Sequence, residues 1–240
     1  MSEDVFKPTG YLAFYRTLPH ECGYLPHRQT VNAVVDPALP LNTDLYSRLA
    51  ELGFRRSGAR LYRPACPSCS ACIALRIPVA QFQPSRTQRR VWKKDGDLTI
   101  EERPAAFRDD HFELYRRYLR SRHPFGGMDD PRPDDYLSFL ACPGIDTRFY
   151  DIRLAGRCIA VAVADVLSNG LSAVYTFYDP ELDERSLGVY AILQQIEISR
   201  RLGLPWLYLG YWIEECRKMS YKNLYRPHEL FMGGHWHRFG

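Results

Sequence analysis

An α+β fold, with helices packed on a mostly antiparallel sheet, follows from three features of the C-terminal half. Cys158–Val166 is a nearly continuous run of β-branched and small apolar residues, the pattern of a buried strand. Ser168-Asn169-Gly170 is a hairpin signal, because Asn-Gly tolerates the positive φ angles of a tight turn. Leu187–Leu202 then places Val189, Ile192, Leu193 and Ile196 on one helical face, and Trp206–Gly210 returns to a strand pattern.

The other elements can be justified in chain order. Residues 43–53 read as a short helix, with Thr43 and Asp44 as capping residues, Leu45, Leu49 and Leu52 along one face, and Gly53 as the stop. Leu75–Val79 reads as a short strand. Residues 109–122 form an amphipathic helix with Phe112, Tyr115, Tyr118 and Leu119 in one stripe. A Pro/Gly-rich loop at 123–133 precedes a short helix at 134–140. Phe149–Leu154 is strand-like, Ala155-Gly156 marks a tight turn, and Leu171–Tyr178 is the strand returning from the Asn-Gly hairpin, ended by Asp179-Pro180.

A chain of 240 residues allows one large domain or two closely packed ones. With 45% hydrophobic and 25% charged residues, its composition excludes disorder, collagen and coiled coil. No apolar run approaches the ~18 residues of a membrane span. Its first ten residues, MSEDVFKPTG, lack a signal-peptide pattern, so the cytoplasm is the expected location. The net charge of +4 is unevenly spread. Residues 1–100 hold 14 Lys+Arg against 8 Asp+Glu, for +6, and the remainder carries −2. A polyanionic partner for the N-terminal part is one reading of that asymmetry, and a solvated face is the other.

Four segments could carry chemistry. Cys66-Pro-Ser-Cys69-Ser-Ala-Cys72 overlaps two CxxC spacings, and Cys22, His20 or His27 could complete a metal site. Thiolates also hold iron–sulfur clusters, while three reduced thiols around a turn would look the same in sequence. Within Arg86–Lys94, five of nine residues are basic, with Trp92 among them. Arginine forks match phosphate or carboxylate, and an interleaved aromatic can stack on a base. Tyr175-Thr-Phe-Tyr178-Asp179-Pro180 leads from a strand toward the long helix, and Asp179 there suits either proton transfer or ordinary turn chemistry. Lys218 and Lys222, with Tyr221 and Tyr225, form a basic and aromatic group suited to an RNA end.

Together these motifs resemble one family, the arginyl-tRNA–protein transferases, and within it the bacterial leucyltransferase branch. The resemblance rests on Cys22-Gly-Tyr-Leu-Pro26, Cys66-x-x-Cys69-x-x-Cys72, Arg76-Ile-Pro-Val-x-x-Phe82-x-Pro-Ser-Arg86-x-Gln-Arg-Arg90, Phe177-Tyr-Asp-Pro180, Ser186-Leu-Gly188, Tyr208-Leu-Gly-Tyr-Trp-Ile213 and Lys218-Met-x-Tyr-Lys222. Leu25 stands where the eukaryotic branch has a second cysteine, which favours the bacterial branch.

The resemblance implies a GNAT-like acyltransferase domain over 106–240 and a smaller domain over 1–105 with the cysteine cluster and the basic segment. It implies transfer of leucine from Leu-tRNA to proteins with an N-terminal Asp or Glu, which marks them for N-degron degradation. Arginyl transfer and acyl-CoA N-acyl transfer are the alternatives. Under this reading Asp179 orients the acceptor amine or takes its proton, and Tyr175 or Tyr178 donates a proton or holds the oxyanion. Arg76, Arg86 and Arg89 read the acidic acceptor. Arg90, Lys93, Lys94, Lys218, Tyr221 and Lys222 contact the tRNA. No cofactor is required for transfer, and Cys22, Cys66, Cys69 and Cys72 are candidates for zinc or an iron–sulfur cluster.

Overall fold

A computed structural model describes residues 12–122 and 131–240. The loop expected at 123–133 lies, over 123–130, outside the described residues. In chain order the elements are β1 (Phe14–Arg16), β2 (His20–Glu21), β3 (Gln29–Thr30), β4 (Asn32–Val35), α1 (Thr43–Glu51), β5 (Arg55–Ser57), β6 (Arg60–Pro64), β7 (Ile73–Pro78), α2 (Arg86–Lys94) and β8 (Thr99–Pro104). There follow α3 (Asp109–Arg122), α4 (Pro133–Leu140), β9 (Thr147–Leu154), β10 (Arg157–Leu167), β11 (Gly170–Tyr178), α5 (Leu187–Arg201), β12 (Trp206–Trp212), α6 (Arg217–Ser220), β13 (His228–Met232) and β14 (His235–Phe239).

The fold is α+β, around an eight-stranded sheet in the order β14-β13-β7-β12-β11-β10-β9-β8. All its pairs are antiparallel except β11 with β12. Residues 157–212 thus run strand, strand, helix, strand, the arrangement expected of the C-terminal half. β7 and β8, which precede residue 106, join the same sheet. A second sheet, β1-β4-β6-β5, packs beside it: Val35 and Leu61 of that sheet, Tyr46 of α1 and Phe54 cluster with Leu167 and Tyr208.

Both faces of the large sheet are covered. On one, α5 seats Leu187, Ala191, Leu193 and Ile196 among Ala160, Ala162, Ile77 and Leu207. The small alanines of β10 let the helix approach closely. On the other face, Leu114, Tyr115 and Leu119 of α3 and Tyr136 and Leu140 of α4 meet Phe149, Val161, Val163 and Phe177. Among the described residues no helix is long and apolar enough to cross a membrane.

Two local expectations change, and a segment given no secondary structure from sequence proves to be helical. The N-cap of α1 is Asn42, whose side chain accepts from the Leu45 N–H at 2.8 Å, one residue before the expected cap. The β10–β11 turn is Ser168-Asn169, with Leu167 paired directly to Gly170, and neither turn residue has positive φ. Gly170 is needed for space instead, since a Cβ there would lie 2.7 Å from the Trp206 carbonyl oxygen and the Tyr208 ring. Arg86–Lys94 is a helix with a capping box, in which Ser85 and Gln88 exchange side-chain to backbone hydrogen bonds. Its five basic side chains are all exposed, and the 3.6-residue repeat aligns Arg86, Arg89, Arg90 and Lys93 in one stripe.

Candidate active site at the parting of two strands

The parallel pair β11 and β12 holds register for only three residues, from Gly170↔Trp206 to Ser172↔Tyr208. Both strands are irregular where they separate. β11 shifts register against β10 between Ala173 and Tyr175, and β12 shifts against β7 between Tyr208 and Gly210. Bulges bend the strands that carry them. The result is a wedge-shaped gap whose backbone groups need other partners.

Two basic side chains fill that need. Arg55, from β5 of the small sheet, donates from Nη2 to the carbonyls of Ala173 (3.2 Å) and Val174 (3.0 Å). Its guanidinium lies over Gly210, which has φ +76°, and a Cβ at that residue would be 1.5 Å from Nη1. Lys222, from the turn after α6, donates from Nζ to the Tyr211 carbonyl at 2.8 Å and is 5% exposed. Burial, reinforced by nearby Arg55, holds the Lys222 amine well below the ordinary lysine range. Burial alone would also lower the Arg55 pKa, but the surrounding phenol oxygens of Tyr62, Tyr46, Tyr24 and Tyr211 raise it overall. Tyr211 itself is fixed by donating to the carbonyls of Gly53 and Tyr62.

Aromatic rings continue the wall. Tyr221 interacts electrostatically with both Arg55 and Tyr178. Tyr118 packs edge-on against Tyr178 at 4.9 Å and Tyr175 at 6.2 Å. Burial pushes the Tyr175 phenol far up, so it stays a protonated donor at neutral pH. The Tyr178 hydroxyl accepts from Arg122 Nη2 at 3.1 Å.

The structure therefore brings Tyr175, Tyr178, Tyr221 and Lys222 to one region and separates the other expected residues from it. Lys222 was expected on a tRNA-contacting surface, but burial under β12 removes it from any phosphate. Asp179 is 1% exposed, with Oδ1 bonded to Arg117 at 2.5 Å and to the Glu181 N–H, and Oδ2 bonded to Arg157 at 3.0 Å. That carboxylate is committed to two arginines and to capping the following turn, so its oxygens are not free to take a proton from an amine. Arg76 is likewise committed. It sits cross-strand from Glu229, pairs with it at 2.7 Å, and is sandwiched between the rings of Trp206 (3.7 Å) and Trp236 (4.2 Å). Arg76→Ala should therefore lower thermal stability while leaving the preference for Asp-start over Ala-start acceptor peptides intact. A lost preference in that comparison would restore Arg76 as the reader.

Arg86, Arg89, Arg90, Lys93 and Lys94 stay together on α2. Gln88 Nε2 donates to the Leu224 carbonyl and ties this helix to the turn bearing Tyr221 and Lys222. Lys218 is exposed on α6, nearby in sequence. Neither Arg55 nor its place in the wedge was anticipated from the sequence. The one local hint was Gly210 inside an apolar strand, which marks a close backbone approach.

The cysteines gather beside this region. Cys22, Cys69 and Cys72 pack against Leu25, Ile213 and Cys216. Backbone N–H groups of Leu25 and Val31 point at the sulfurs of Cys22 and Cys66, each at 3.5 Å, and Arg28 donates to Cys69 at 3.2 Å. The Ala71 N–H and Arg28 lower the Cys69 thiol, whereas burial and the neighbouring sulfurs push Cys72 up to about 12. A tetrahedral zinc with bonds of about 2.3 Å needs sulfurs about 3.8 Å apart. Among the described residues, the one set of three or more potential donors lying within 4.8 Å of one another is His111, Asp151 and Cys158. The four cysteine sulfurs do not form such a set as their side chains lie. In the His111 set, Asp151 is already paired with Arg153 at 2.9 Å and lies 2.8 Å from His111 Nε2.

Comparison with known proteins places this geometry in an enzyme class. Residues 20–90 match the N-terminal family model, and residues 110–232 the C-terminal family model, of arginine-tRNA-protein transferase. The chain belongs to the arginine-tRNA-protein transferase family. It is 52% identical over 225 residues to an aspartate/glutamate leucyltransferase of Pseudomonas aeruginosa, covering 94% of this chain and 96% of that one. It is 51% identical to proteins of the same description from Pseudomonas fluorescens and Pseudomonas putida, with the same coverage. Among solved structures it is similar to L-PGS from Bacillus licheniformis, with a TM-score of 0.43 and 10% identity over 59% of this chain and 45% of that one.

Proposed function

We propose that this protein moves leucine from Leu-tRNA to the N-terminal Asp or Glu of proteins in the cytoplasm, creating an N-degron. The observation that carries the reading is 52% identity along 94% of the chain to enzymes described as aspartate/glutamate leucyltransferases.

The aminoacyl ester is already activated, so transfer needs positioning and charge stabilisation rather than a cofactor. The neutral acceptor α-amine attacks the ester carbonyl. A C–N bond forms, the C–O bond to the tRNA ribose breaks, and the proton lost by nitrogen ends on the departing ribose oxygen. Tyr175 and Tyr178 line the wedge, where they hold the oxyanion or deliver that proton. Asp179 contributes at one remove, by fixing the loop after Tyr178 through Arg117 and Arg157. Cys22, Cys66, Cys69 and Cys72 offer thiolates that would hold zinc or an iron–sulfur cluster, and such a group would brace the N-terminal segment beside the wedge.

The basic stripe of α2 with Lys218 and Tyr221 forms the tRNA surface. Its expected signature is in salt dependence. Arg90→Ala and Lys93→Ala should each weaken tRNA binding regardless of sequence and reduce the slope of log K against log salt by about 1. An unchanged slope would remove α2 from the RNA interface. The reaction is read by incubating the protein with labelled Leu-tRNA, Arg-tRNA or acetyl-CoA and an Asp-start peptide. Label transferred from Leu-tRNA alone supports the proposal, and transfer from either other donor overturns it.

A further inference from the structure

Four arginines that are buried or half-buried differ in one respect. Arg56 is paired with Asp165 at 2.6 Å, Arg76 with Glu229, and Arg153 with Asp151. Among the described residues Arg55 has no carboxylate within ion-pair distance and donates only from Nη2, to two backbone carbonyls. The N–H groups of its Nε and Nη1 have no acceptor there. Because Arg55 is only half-buried, these groups stay within reach of solvent and of an incoming anion. Its electrostatic neighbours include the tyrosines Tyr62, Tyr46, Tyr24 and Tyr211.

Position gives this unbalanced charge a meaning. Arg55 is partly open to solvent and sits where β11 and β12 part, close enough to interact electrostatically with Tyr221, which in turn interacts with Tyr178. An acceptor presenting its α-amine to the ester must place its first side chain close to the same gap. For an N-terminal Asp or Glu, that side chain is a carboxylate.

We propose that Arg55 is the residue that reads the acceptor, its free N–H groups binding the side-chain carboxylate of an N-terminal Asp or Glu. The bond to the Ala173 and Val174 carbonyls fixes the guanidinium, so the fork is oriented before the acceptor arrives. Gly210 supplies the space it occupies. A neutral residue at the acceptor N-terminus would leave the cation without a partner, which gives selectivity by penalty as well as by attraction. The inference rests on the transfer reaction proposed above.

The test compares Asp-start and Asn-start peptides of otherwise identical sequence, with wild-type protein, Arg55→Gln and Arg55→Lys. Wild-type transfer from Leu-tRNA to the Asp-start peptide is the control, and its absence would undo the reaction itself rather than the role of Arg55. In Arg55→Gln the ratio of kcat/KM for Asp over Asn should fall about 10- to 100-fold, the range for losing a hydrogen bond to a charged group. In Arg55→Lys, which keeps the cation, the Asp preference should survive in weakened form. A purely structural Arg55 would lower both peptides alike and leave the ratio unchanged in both variants, and that result overturns the proposal. If Arg55→Gln does not fold, judged by near-ultraviolet circular dichroism, Arg55→Lys decides alone: an unaltered ratio there refutes the assignment, and a reduced one supports it.

Discussion

Asp165→Asn or Arg56→Ala should destabilise the protein by about 3–5 kcal/mol, the usual cost of leaving one partner of a buried ion pair behind. At about 2–4 °C per kcal/mol for a chain of this size, the melting temperature should drop by about 6–20 °C. The reason lies in how completely the pair is enclosed. Both side chains have 0% exposure, and Arg56 meets the two carboxylate oxygens separately, through Nε at 2.6 Å and Nη2 at 2.7 Å. The remaining guanidinium protons go to the carbonyls of Gly58 and Leu140, and the Thr147 hydroxyl donates to Asp165 at 2.6 Å. One cluster therefore joins β5, α4, β9 and β10, and so fastens the small sheet to the large one. Removing either charge strands the other among groups arranged for it. Replacing both by apolar residues, as in Arg56→Met with Asp165→Leu, should recover most of the loss. Thermal unfolding of the single and double variants measures this directly. A single variant within about 1 kcal/mol of wild type would show that the network adjusts without cost, against the usual behaviour of enclosed charges.

Adjacent Arg55 and Arg56 also show where sequence reading stops. In a strand, neighbours point to opposite faces, so one arginine must enter the interior of the small sheet's packing and the other must leave it. Which one meets Asp165 and which one enters the wedge depends on strands about 110 residues away, at Asp165 and Ala173. Nothing near residue 55 carries that information. By contrast, β9 to β12 and α5 are legible because periodicity and turn residues act locally. α2 escapes that reading, although Ser85 and Gln88 spell a capping box locally, because the density of arginines draws attention to charge instead. The C-terminal hairpin of β13 and β14 and the insertion of β7 between β12 and β13 rest on non-local pairing, and neither is visible in a short window. The site divides in the same way. Tyr175, Tyr178 and Tyr221 lie in recognisable motifs and do line the wedge. The roles of Arg76 and Asp179 turn on Glu229, Arg117 and Arg157, partners that only the fold brings near.

Gly210→Ala carries the second large effect, and it should act through Arg55. Two costs are combined at this position. The backbone has φ +76°, a conformation that costs an L-residue about 1–2 kcal/mol. The new Cβ would also lie 1.5 Å from Arg55 Nη1 and 2.5 Å from Cζ, so the guanidinium has to leave. Its departure unpairs the carbonyls of Ala173 and Val174, each worth about 1–3 kcal/mol when left without a donor. The expected total is about 3–8 kcal/mol, together with loss of transfer activity. The two costs can be separated, because only the second requires an arginine at residue 55. In an Arg55→Ala background the clash is absent, and the further cost of Gly210→Ala should shrink to the backbone strain alone. Urea unfolding of the four proteins in that cycle gives the coupling between the residues, expected at about 2 kcal/mol or more for groups in contact. Additive costs would mean that Arg55 finds another seat without penalty. Strong coupling, with activity lost in every variant, would mean that Gly210 is there to let an arginine into the space between two parting strands.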